Sequence, residues 1–551
     1  MSPAATGASA SPIRVMGSVP ELWQAVAGAV AGAVAGPASR PVAGPVAGPA
    51  SGPVAGPVTG PVAGSAAGPG AGGRRFAGLI ATQRPEGVLL SAYLAGPGGI
   101  LTCEAAVQPG DGWYPALTPL VGAASWYERE IHDLFGVVPA GHPRLEPLIL
   151  PLGGEGGGEV RPRPGRPGPP PAGIWPDEHS LPRHVMGAGL FTIPHGPVRS
   201  GVLESVEYLV ETPGEDIPHL NLRVFYKHRG VEKRFEGRPG ADGVLLAERT
   251  EGVASVAHAL AYCHALERIA DVAVPWPAAL VRVLHAELER LASHLDVAVR
   301  LADAAGLAVA TARFGVHKER VMRLVGRMCG SRFGRGVVIP GGVSARPEVS
   351  GRDLLAEVGR LERAISGDAR ELMGTSSFLD RLRRTGQLRP ERAREHGALG
   401  PVGKGSGFRD DARLARPYDA YPALGLGEPG PGPGPHEDGD AQARLRVRWD
   451  EVRQSFHLIR QAAGELAEAG AGLLRVDCPA ADGRALGWAE APQGEVLYDV
   501  RVAGGRVTRC AIRSASFHNL ALFHEVFAGD ILTDFPFIEA SFGLSMAGVA
   551  R

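Results

Sequence analysis

The chain has 551 residues, which is enough for two or more domains with sizeable cores. Its 57 Lys and Arg nearly balance its 58 Asp and Glu, which argues against a nucleic-acid binder or a polyacidic tail. The five cysteines include no CxxC pair, which indicates a reducing compartment and argues against a disulfide framework, a zinc site or an iron–sulfur site in this chain. The longest Ala/Val/Gly stretch, 25–36, is too short to span a bilayer.

Residues 1–75 combine an expected strand and helix, in "IRVMGSVPELWQAVAGAVA", with a low-complexity insertion. Over 41–64 the chain repeats "PVAG"-like tetrapeptides without charge or aromatic side chains. Proline at every fourth position blocks a helix and glycine raises the entropy cost of ordering, so the repeat predicts a mobile tether. A docking repeat is the alternative.

Residues 76–150 predict a small α/β module, in which short strand-like runs precede a helix at "SWYEREIHDLF". Trp126, Ile131 and Leu134 fall on one face of that helix, and charged residues lie on the rest of the turn. Such dense charge indicates either pairing with arginines of a neighbour or a solvated face. The Gly- and Pro-rich segment 151–180 then predicts an interdomain linker.

Residues 181–551 predict a larger, mainly helical module that opens with strands, so the fold class of the whole chain is α+β. The clearest helix carries one apolar stripe, formed by Val281, Leu284, Leu288, Leu291 and Leu295. A second long helix is expected at "LRVRWDEVRQSFHLIRQAAGELAEAG". Histidines on these helices, such as His285 and His294, are interpreted as satisfied structural residues.

The helix of the small module resembles a family signature. "WYEREIHDLFGV" is similar to the acidic-x-x-Glu-Arg-Glu-x-x-Asp-x-x-Gly pattern of the C subunit of respiratory complex I, which is shared with the N-terminal part of energy-converting hydrogenase large subunits. The resemblance implies that this module packs against a D-type module and an iron–sulfur subunit. The interface residues that it suggests are Glu128, Arg129, Glu130 and Asp133.

The large module resembles the D subunit of complex I and its homologue, the large subunit of membrane-bound [NiFe]-hydrogenases of the formate hydrogenlyase type. The resemblance runs through "YKHRGVEKRFEG", "ERTEGVASVAHALAYCHALE", "HAELERLASHL", "GPVGKGSGFRDDARLARPYDAY" and the C-terminal "FIEASFGLSMAGVAR". The chain is therefore identified as a fused C/D-type member of this superfamily. In the family the first of these stretches lies near the iron–sulfur subunit, which adds Glu232 and Lys233 to the expected interface; taken alone, that stretch is a solvated strand end and turn.

The hydrogenase family binds nickel and iron through four thiolates in two CxxC pairs. Here the first pair aligns with Glu251 and Ala254, and the second aligns with Ser545 and Gly548 in "GLSMAGVAR". Because such a centre requires soft sulfur donors, the resemblance predicts that this chain lacks the nickel ligands and binds no metal.

The complex I branch implies quinone in the vacated space, contacted by a His in the first hairpin and a Tyr at the start of the helical core. At the hairpin stand Arg199 and Ser200, with His195 a few residues earlier; at the second position stands Gly252, next to Glu251. Neither contact is matched residue for residue.

Polar groups near this loop suggest chemistry of their own. Glu251, His258 and Arg249 are the candidate catalytic residues, and with Arg199 they are expected to form a charged cluster in a partly dry pocket. Glu251 would then handle protons or contact a headgroup. The alternative is that it pairs with Arg249 or Arg199 and fills space.

The resemblance implies an oxidoreductase subunit that passes electrons from a partner's iron–sulfur cluster to a quinone-like acceptor, within a complex that has membrane-arm subunits. The chain itself would bind no cofactor, and lacking a Rossmann glycine pattern it would leave NADH to another subunit. It would be peripheral, at the cytoplasmic side of the cell membrane. The alternative is a degenerate large subunit kept as an assembly scaffold.

Overall fold

The computed structural model describes residues 12–34, 73–108, 110–150, 187, 189–199, 204–426, 437–470 and 472–551. The expected tether at 41–64, the linker at 151–180 and Ser200 lie outside these ranges. Among the described residues, no helix is both long enough and apolar enough to cross a bilayer.

The N-terminal module is a four-stranded sheet covered by two helices. Its elements are β1 (Ile13–Val15), α1 (Val19–Val34), β2 (Arg75–Arg84), β3 (Gly87–Gly96), β4 (Gly99–Val107), β5 (Trp113–Pro115), α2 (Ser125–Phe135) and β6 (Val138–Ala140). The sheet order is β1-β4-β3-β2, with β1 parallel to β4 and the other neighbours antiparallel. The predicted α/β module is therefore confirmed.

The large module opens with an antiparallel meander and continues as helices, as predicted. The meander and the first helices are β7 (Phe191–His195), β8 (Glu207–Thr212), β9 (His219–Arg223), α3 (Val231–Phe235), α4 (Val244–Ala247), α5 (Ser255–Ile269), α6 (Trp276–Ala304) and α7 (Ala308–Cys329). Then follow β10 (Val338–Ile339), β11 (Gly342–Val343), α8 (Gly351–Met373), α9 (Ser376–Leu382), α10 (Pro390–His396), α11 (Gly400–Lys404), α12 (Ala412–Ala415) and α13 (Ala441–Glu468).

The apolar stripe predicted on α6 is wholly buried, because α6 packs against α5, α7 and α13 in the centre of the helical core. The second predicted long helix is α13. His294 is the structural residue expected of it, since its Nε2 lies 2.7 Å from Glu451 Oε2. His285 differs, because its Nδ1 is buried and has no hydrogen-bond partner among the described residues.

A three-stranded antiparallel sheet near the C-terminus was not predicted. It comprises β12 (Gly483–Ala491), β13 (Gly494–Ala503) and β14 (Arg506–Arg513), and is followed by α14 (Ala515–Leu520), α15 (Phe535–Phe542) and α16 (Met546–Val549). The sheet packs directly on α5. At Gly487 the approach is so close that a Cβ would lie 1.9 Å from the carbonyl oxygen of Ala261, so only glycine fits there.

The two modules share buried polar contacts as well as hydrophobic clusters. Arg75 of β2 donates to Asp410 at 2.7 Å and to Glu495 of β13 at 2.8 Å. The hydroxyl of Tyr93 on β3 donates to Asp499 of β13 at 2.5 Å. These pairs orient the small module on the C-terminal sheet, which in turn supports the loop before α5.

Candidate functional site

The two segments that were expected to align with the cysteine pairs meet at the buried carboxylate of Glu251. This side chain is 1% exposed and lies in the loop before α5. Its Oε2 is 3.0 Å from Nε2 of His258, and its Oε1 accepts a 2.7 Å hydrogen bond from the hydroxyl of Ser516 on α14. Ser516 Oγ in turn accepts the backbone N–H of Ser545 at 3.1 Å. A short polar chain therefore joins the first segment to the second.

His258 extends this chain into the core. Its Nδ1 is 2.8 Å from the hydroxyl of Tyr498 on β13. Burial raises the pKa of Tyr498 well above its usual value, so the hydroxyl stays protonated and can donate to Nδ1. Nε2 of His258 is then placed to donate its hydrogen to Glu251.

The space between the two segments is closed. A Cβ added to Gly548 of α16 would lie 2.5 Å from Oε2 of Glu251 and 2.7 Å from its Cδ. The carboxylate therefore packs directly against the backbone of α16. Among Glu251, Ala254, Ser545 and Gly548 no side chain carries sulfur, and within the described ranges no group of three or more His, Cys, Asp or Glu is arranged to hold a metal ion.

Arg229 ties the same two segments together from the outside. Its guanidinium donates to the carbonyl oxygens of Arg249 at 3.1 Å, Thr250 at 2.5 Å and Ala547 at 2.9 Å. Glu204 supports the second segment, because its carboxylate accepts the hydroxyl of Ser545 at 2.7 Å. Burial is the main cause that lowers the pKa of Arg229, while Glu204 and Glu251 oppose that decrease.

The expected cluster of four charged residues forms only in part, because the structure brings Glu251 and His258 together but places the two arginines elsewhere. Arg249 is half exposed and bonds to Glu248 and to the carbonyl oxygen of Leu245. Arg199 forms a bidentate pair with Glu539, at 2.7 and 2.9 Å.

His195 joins Arg199 rather than Glu251. Its Nε2 lies 3.2 Å from Nη1 of Arg199, and its ring packs edge-on against Phe535. Tyr208 completes this second cluster by donating to Glu539 at 2.9 Å. The roles of Arg199 and His195 in quinone binding stay predictions.

A cavity of about 430 Å³ lies on the other side of the loop, beside Gly252. It is bounded by the start of α5 and by α6 and α7. Its apolar lining is formed by Val253, Val256, Leu288, Ala292, Val299, Met322, Val325 and Phe333. Gly252 is exposed and a Cβ there would meet nothing within 4 Å, so the residue leaves this wall of the cavity open.

Two polar residues of this wall were not singled out as site residues from the sequence. His285 and Glu289 are one turn apart on α6 and both line the cavity. Glu289 is half-buried, and its carboxylate accepts the backbone N–H groups of Val256 at 2.6 Å and Ala257 at 3.1 Å, at the start of α5. The sequence did offer one signal for them: His285, Glu289 and Ser293 follow one another at intervals of four residues, which puts three polar side chains on one face of the helix.

The predicted interface residues of α2 bind within the chain. Glu128 is fully buried and accepts the backbone N–H groups of Leu117 and Thr118, and the Thr118 hydroxyl, at 2.6–2.9 Å. Asp133 accepts three backbone N–H groups at 148–150, at 2.7–3.2 Å. Arg129 donates to the carbonyl oxygen of Glu146 at 2.8 Å. These residues shape the loops around α2.

Glu130 and Glu232 converge on the C-terminal residue. Arg551 donates to both oxygens of Glu130 at 2.8 and 2.9 Å and to Glu232 at 3.0 Å, and its guanidinium lies 4.6 Å from the ring centroid of Phe517. An arginine of the large module thus pairs with the signature helix of the small one. Lys233 is exposed and pairs with Glu236. Whether Lys233 contacts a partner subunit stays a prediction.

Two family profiles match the chain. The 49 kDa subunit of respiratory-chain NADH dehydrogenase matches residues 306–477 and 473–551, and the 30 kDa subunit of the same enzyme matches residues 90–158. The "Carbon monoxide-induced hydrogenase" of Rhodospirillum rubrum is 30% identical over 355 residues, which cover 63% of this chain and 96% of that protein. The chain belongs to the complex I and hydrogenase subunit family.

Other members of this family match over longer stretches. "Formate hydrogenlyase subunit 5" of Escherichia coli is 28% identical over 78% of this chain and 75% of its own length. The fused C/D-type NADH-quinone oxidoreductase subunit of Nitrosospira multiformis is 27% identical over 79% of this chain and 78% of its own length. The resemblance to a fused C/D-type subunit is confirmed, and the chain is accordingly an oxidoreductase subunit of the complex I-like and hydrogenase-related type.

A solved structure has the same fold. It is a chain of the membrane-bound sulfane sulfur reductase, an archaeal respiratory membrane complex, with a TM-score of 0.61 and 24% identity over 67% of this chain and 100% of that chain. At this identity the similarity supports the α+β fold of the large module.

Proposed function

We propose that this chain passes electrons from a partner iron–sulfur subunit to a quinone-like acceptor, without a nickel–iron centre. The observation that carries this proposal is the apolar cavity beside Gly252, which lies against the loop in which the family places its reactive group. A cavity of a few hundred Å³ with an apolar lining and few polar groups suits a small planar ring with polar oxygens.

The residues at the junction of the two segments do not fit a nickel–iron centre. Nickel and iron in the hydrogenase state bind through thiolates, whereas Glu251 and Ser545 offer only oxygen, and Ala254 and Gly548 offer no donor. The contact of Glu251 with the backbone of Gly548 also closes the space that a metal pair would need.

The acceptor is better placed in the cavity than at the hairpin. Arg199 already has its guanidinium engaged by Glu539, and displacing a bidentate ion pair would be unfavourable. The cavity wall at Gly252, by contrast, has open space. The loop at 249–252 connects this wall to the buried Glu251 and His258, so Glu251 is positioned to hold or release a proton behind the cavity. If turnover of the assembled complex were unchanged in Glu251→Gln, proton handling by Glu251 would be dropped.

The partners follow from the family. Relatives are named as NADH-quinone oxidoreductase and formate hydrogenlyase subunits, and the structural neighbour belongs to a respiratory membrane complex. This chain would act in such an assembly, with an iron–sulfur subunit as electron donor and with membrane-arm subunits that hold it at the cytoplasmic side of the cell membrane.

The test is made on the complex purified through a tag on this chain, with nickel content and quinone reduction by reduced ferredoxin measured on one sample. Gly315 and Gly367 form a matched pair, since both are helical and a Cβ at either meets nothing within 4 Å, but only Gly315 lines the cavity. Gly315→Leu should fill the cavity and raise KM for quinone about 10-fold or more, because the acceptor loses its apolar contacts. Gly367→Leu should leave KM unchanged.

A scaffold role is the second candidate, and the sealed contact between Glu251 and Gly548 is the observation that favours it. An intact complex that reduces no quinone in its wild-type form would support the scaffold. Quinone reduction with equal KM in both leucine variants would place the acceptor outside this cavity. Stoichiometric nickel would overturn the absence of a nickel–iron centre.

A further inference from the structure

The polar groups of the cavity are concentrated on one face of α6. His285, Glu289 and Ser293 follow one another at intervals of four residues, and all three line the cavity. Residues at this spacing lie one above the other on a helix. A ring bound against the apolar lining would therefore have its oxygens close to a single row of polar side chains.

His285 is a buried imidazole that lines the cavity. Its side chain is 2% exposed, and no described residue accepts from or donates to its Nδ1. Burial lowers the pKa of His285 to about 4, so the ring is neutral at physiological pH and has one N–H donor. A buried polar group without a partner is unfavourable unless something else binds it. The cavity is the place from which such a partner can come.

Glu289 is a carboxyl group that sits between the cavity and the start of α5. Burial is the main cause that raises its pKa to about 8, although the N–H groups of Val256 and Ala257 and the charge of Arg290 oppose this; the charge of Glu251 adds to the increase. At neutral pH the group is mostly protonated, so it can donate a proton to a ligand. Its position in the wall gives that proton a direct route into the cavity.

We propose that His285 and Glu289 form the polar end of the acceptor site. His285 donates a hydrogen bond to one ring oxygen of a quinone, and Glu289 gives a proton to a ring oxygen when the quinone is reduced. The inference rests on the proposed function, because it takes a quinone in this cavity as given. In one turnover the quinone accepts two electrons from the iron–sulfur cluster of a partner and two protons. One proton leaves the Glu289 carboxyl for a ring oxygen, and the second comes from solvent at the cavity mouth. Solvent then reprotonates Glu289, and the quinol leaves.

Other charged groups face Glu289 from each neighbouring element. Glu251 lies in the loop before α5, Arg290 and Asp296 lie on α6 with His285, Lys318 and Glu319 lie on α7, and Arg332 follows α7. Most of these charges are paired with each other: Lys318 donates to Asp296 at 2.7 Å, and Arg332 donates to Glu319. Among the described residues, Glu289 and His285 are therefore the titratable groups of the lining that form no ion pair.

The experiment uses the purified complex and a short-chain benzoquinone, with binding measured by equilibrium dialysis without a donor and turnover measured with reduced ferredoxin. Glu289→Gln should leave the quinone Kd within about twofold and lower kcat about 100-fold, as expected for loss of a general acid. In the wild type kcat should fall as the pH rises through about 8, and this decline should be absent in Glu289→Gln. Glu289→Asp, which keeps a carboxyl group, should restore part of both kcat and the decline.

His285→Phe should have the opposite pattern. It keeps the ring volume and removes the hydrogen bond, so the quinone Kd should rise about 3- to 10-fold. Glu465→Gln and His457→Gln are the controls, because both residues are exposed on α13 and away from the cavity. Both should bind and turn over like the wild type.

The outcomes separate this inference from the function on which it rests. If Gly315→Leu raises KM for quinone as expected but Glu289→Gln keeps wild-type kcat and pH dependence, and His285→Phe keeps the wild-type Kd, the inference is overturned and the proposed function stands. If the wild-type complex neither binds nor reduces the quinone, both are overturned. Incorporation of each variant into the complex at wild-type yield shows that the measured losses are not failures of folding.

Discussion

The contact between Glu251 and Gly548 makes a prediction that tests how the two segments meet. In Gly548→Ala the new methyl group would lie 2.5 Å from Oε2 of Glu251, where about 3.4 Å is ordinary contact. The carboxylate must move away, and its hydrogen bonds to His258 and Ser516 then lengthen. Overpacking of this kind costs about 1–3 kcal/mol, which exceeds what alanine gains over glycine in so short a helix. Unfolding free energy should fall by that amount.

A double-mutant cycle isolates the contact. Glu251→Ala alone removes the acceptor of His258 and Ser516 and should cost about 1–3 kcal/mol. In the double variant the methyl group at position 548 has room, so the cost of Gly548→Ala should largely disappear. The coupling energy between the two substitutions should then be favourable by at least about 1 kcal/mol. Gly252→Ala is the control in the same loop, where a Cβ meets nothing within 4 Å and the change should stay within about 0.5 kcal/mol. Denaturant unfolding of the tag-purified protein measures the wild type, the three variants of the cycle and the control; additive costs would refute the close packing.

Two further predictions concern the signature helix α2. Arg551→Ala leaves the carboxylate of Glu130 buried without its bidentate partner, so the free energy of unfolding should fall by about 3–5 kcal/mol; a loss below about 1 kcal/mol in denaturant titrations would contradict the pairing. Burial raises the pKa of Glu128 from 4.5 in the unfolded chain to about 7, so its contribution to stability is full below pH 4.5 and is lost as the pH rises through 7. Glutamine does not titrate, so the free energy of unfolding of Glu128→Gln lacks this pH dependence. Its difference from the wild type should therefore shrink by up to about 1.4 kcal/mol per pH unit between pH 5 and 7 as the wild type loses stability. A difference that does not vary with pH would contradict the raised pKa of Glu128.

Motif spacing singled out Glu251 and His258, which the structure brings together, but it did not predict how the neighbouring side chains are arranged. Arg249 and Glu251 are two residues apart in sequence, yet one is half exposed and the other is buried. In a turn, neighbouring side chains take directions that depend on local backbone angles and on what packs against them. Here the packing comes from α14 and α16, which lie some 300 residues away in the chain. No local pattern encodes that contact.

The cavity residues were missed for a different reason. On α6 the apolar stripe dominates the periodicity, and polar residues beside such a stripe usually face solvent. Glu289 does not, because α7 packs beside it and the start of α5 supplies two N–H donors to its carboxylate. The sheet β12–β14 was overlooked in a region that was expected to be helical, although Gly494 and the Gly504–Gly505 pair mark its two turns.

The loop before α5 and the C-terminal segment 545–548 are held together in the fold by hydrogen bonds. Here the same two segments are joined by Arg229, whose guanidinium bonds to Arg249 and Thr250 on one side and Ala547 on the other. Glu251 adds a second tie through Ser516 to Ser545. Hydrogen bonds to charged groups are stronger than neutral ones, so the buried bonds of Glu251 and the part-buried bonds of Arg229 can hold the loop next to the cavity in place. Gly252 belongs to this loop and lines the cavity, so the same bonds also hold that part of the cavity wall.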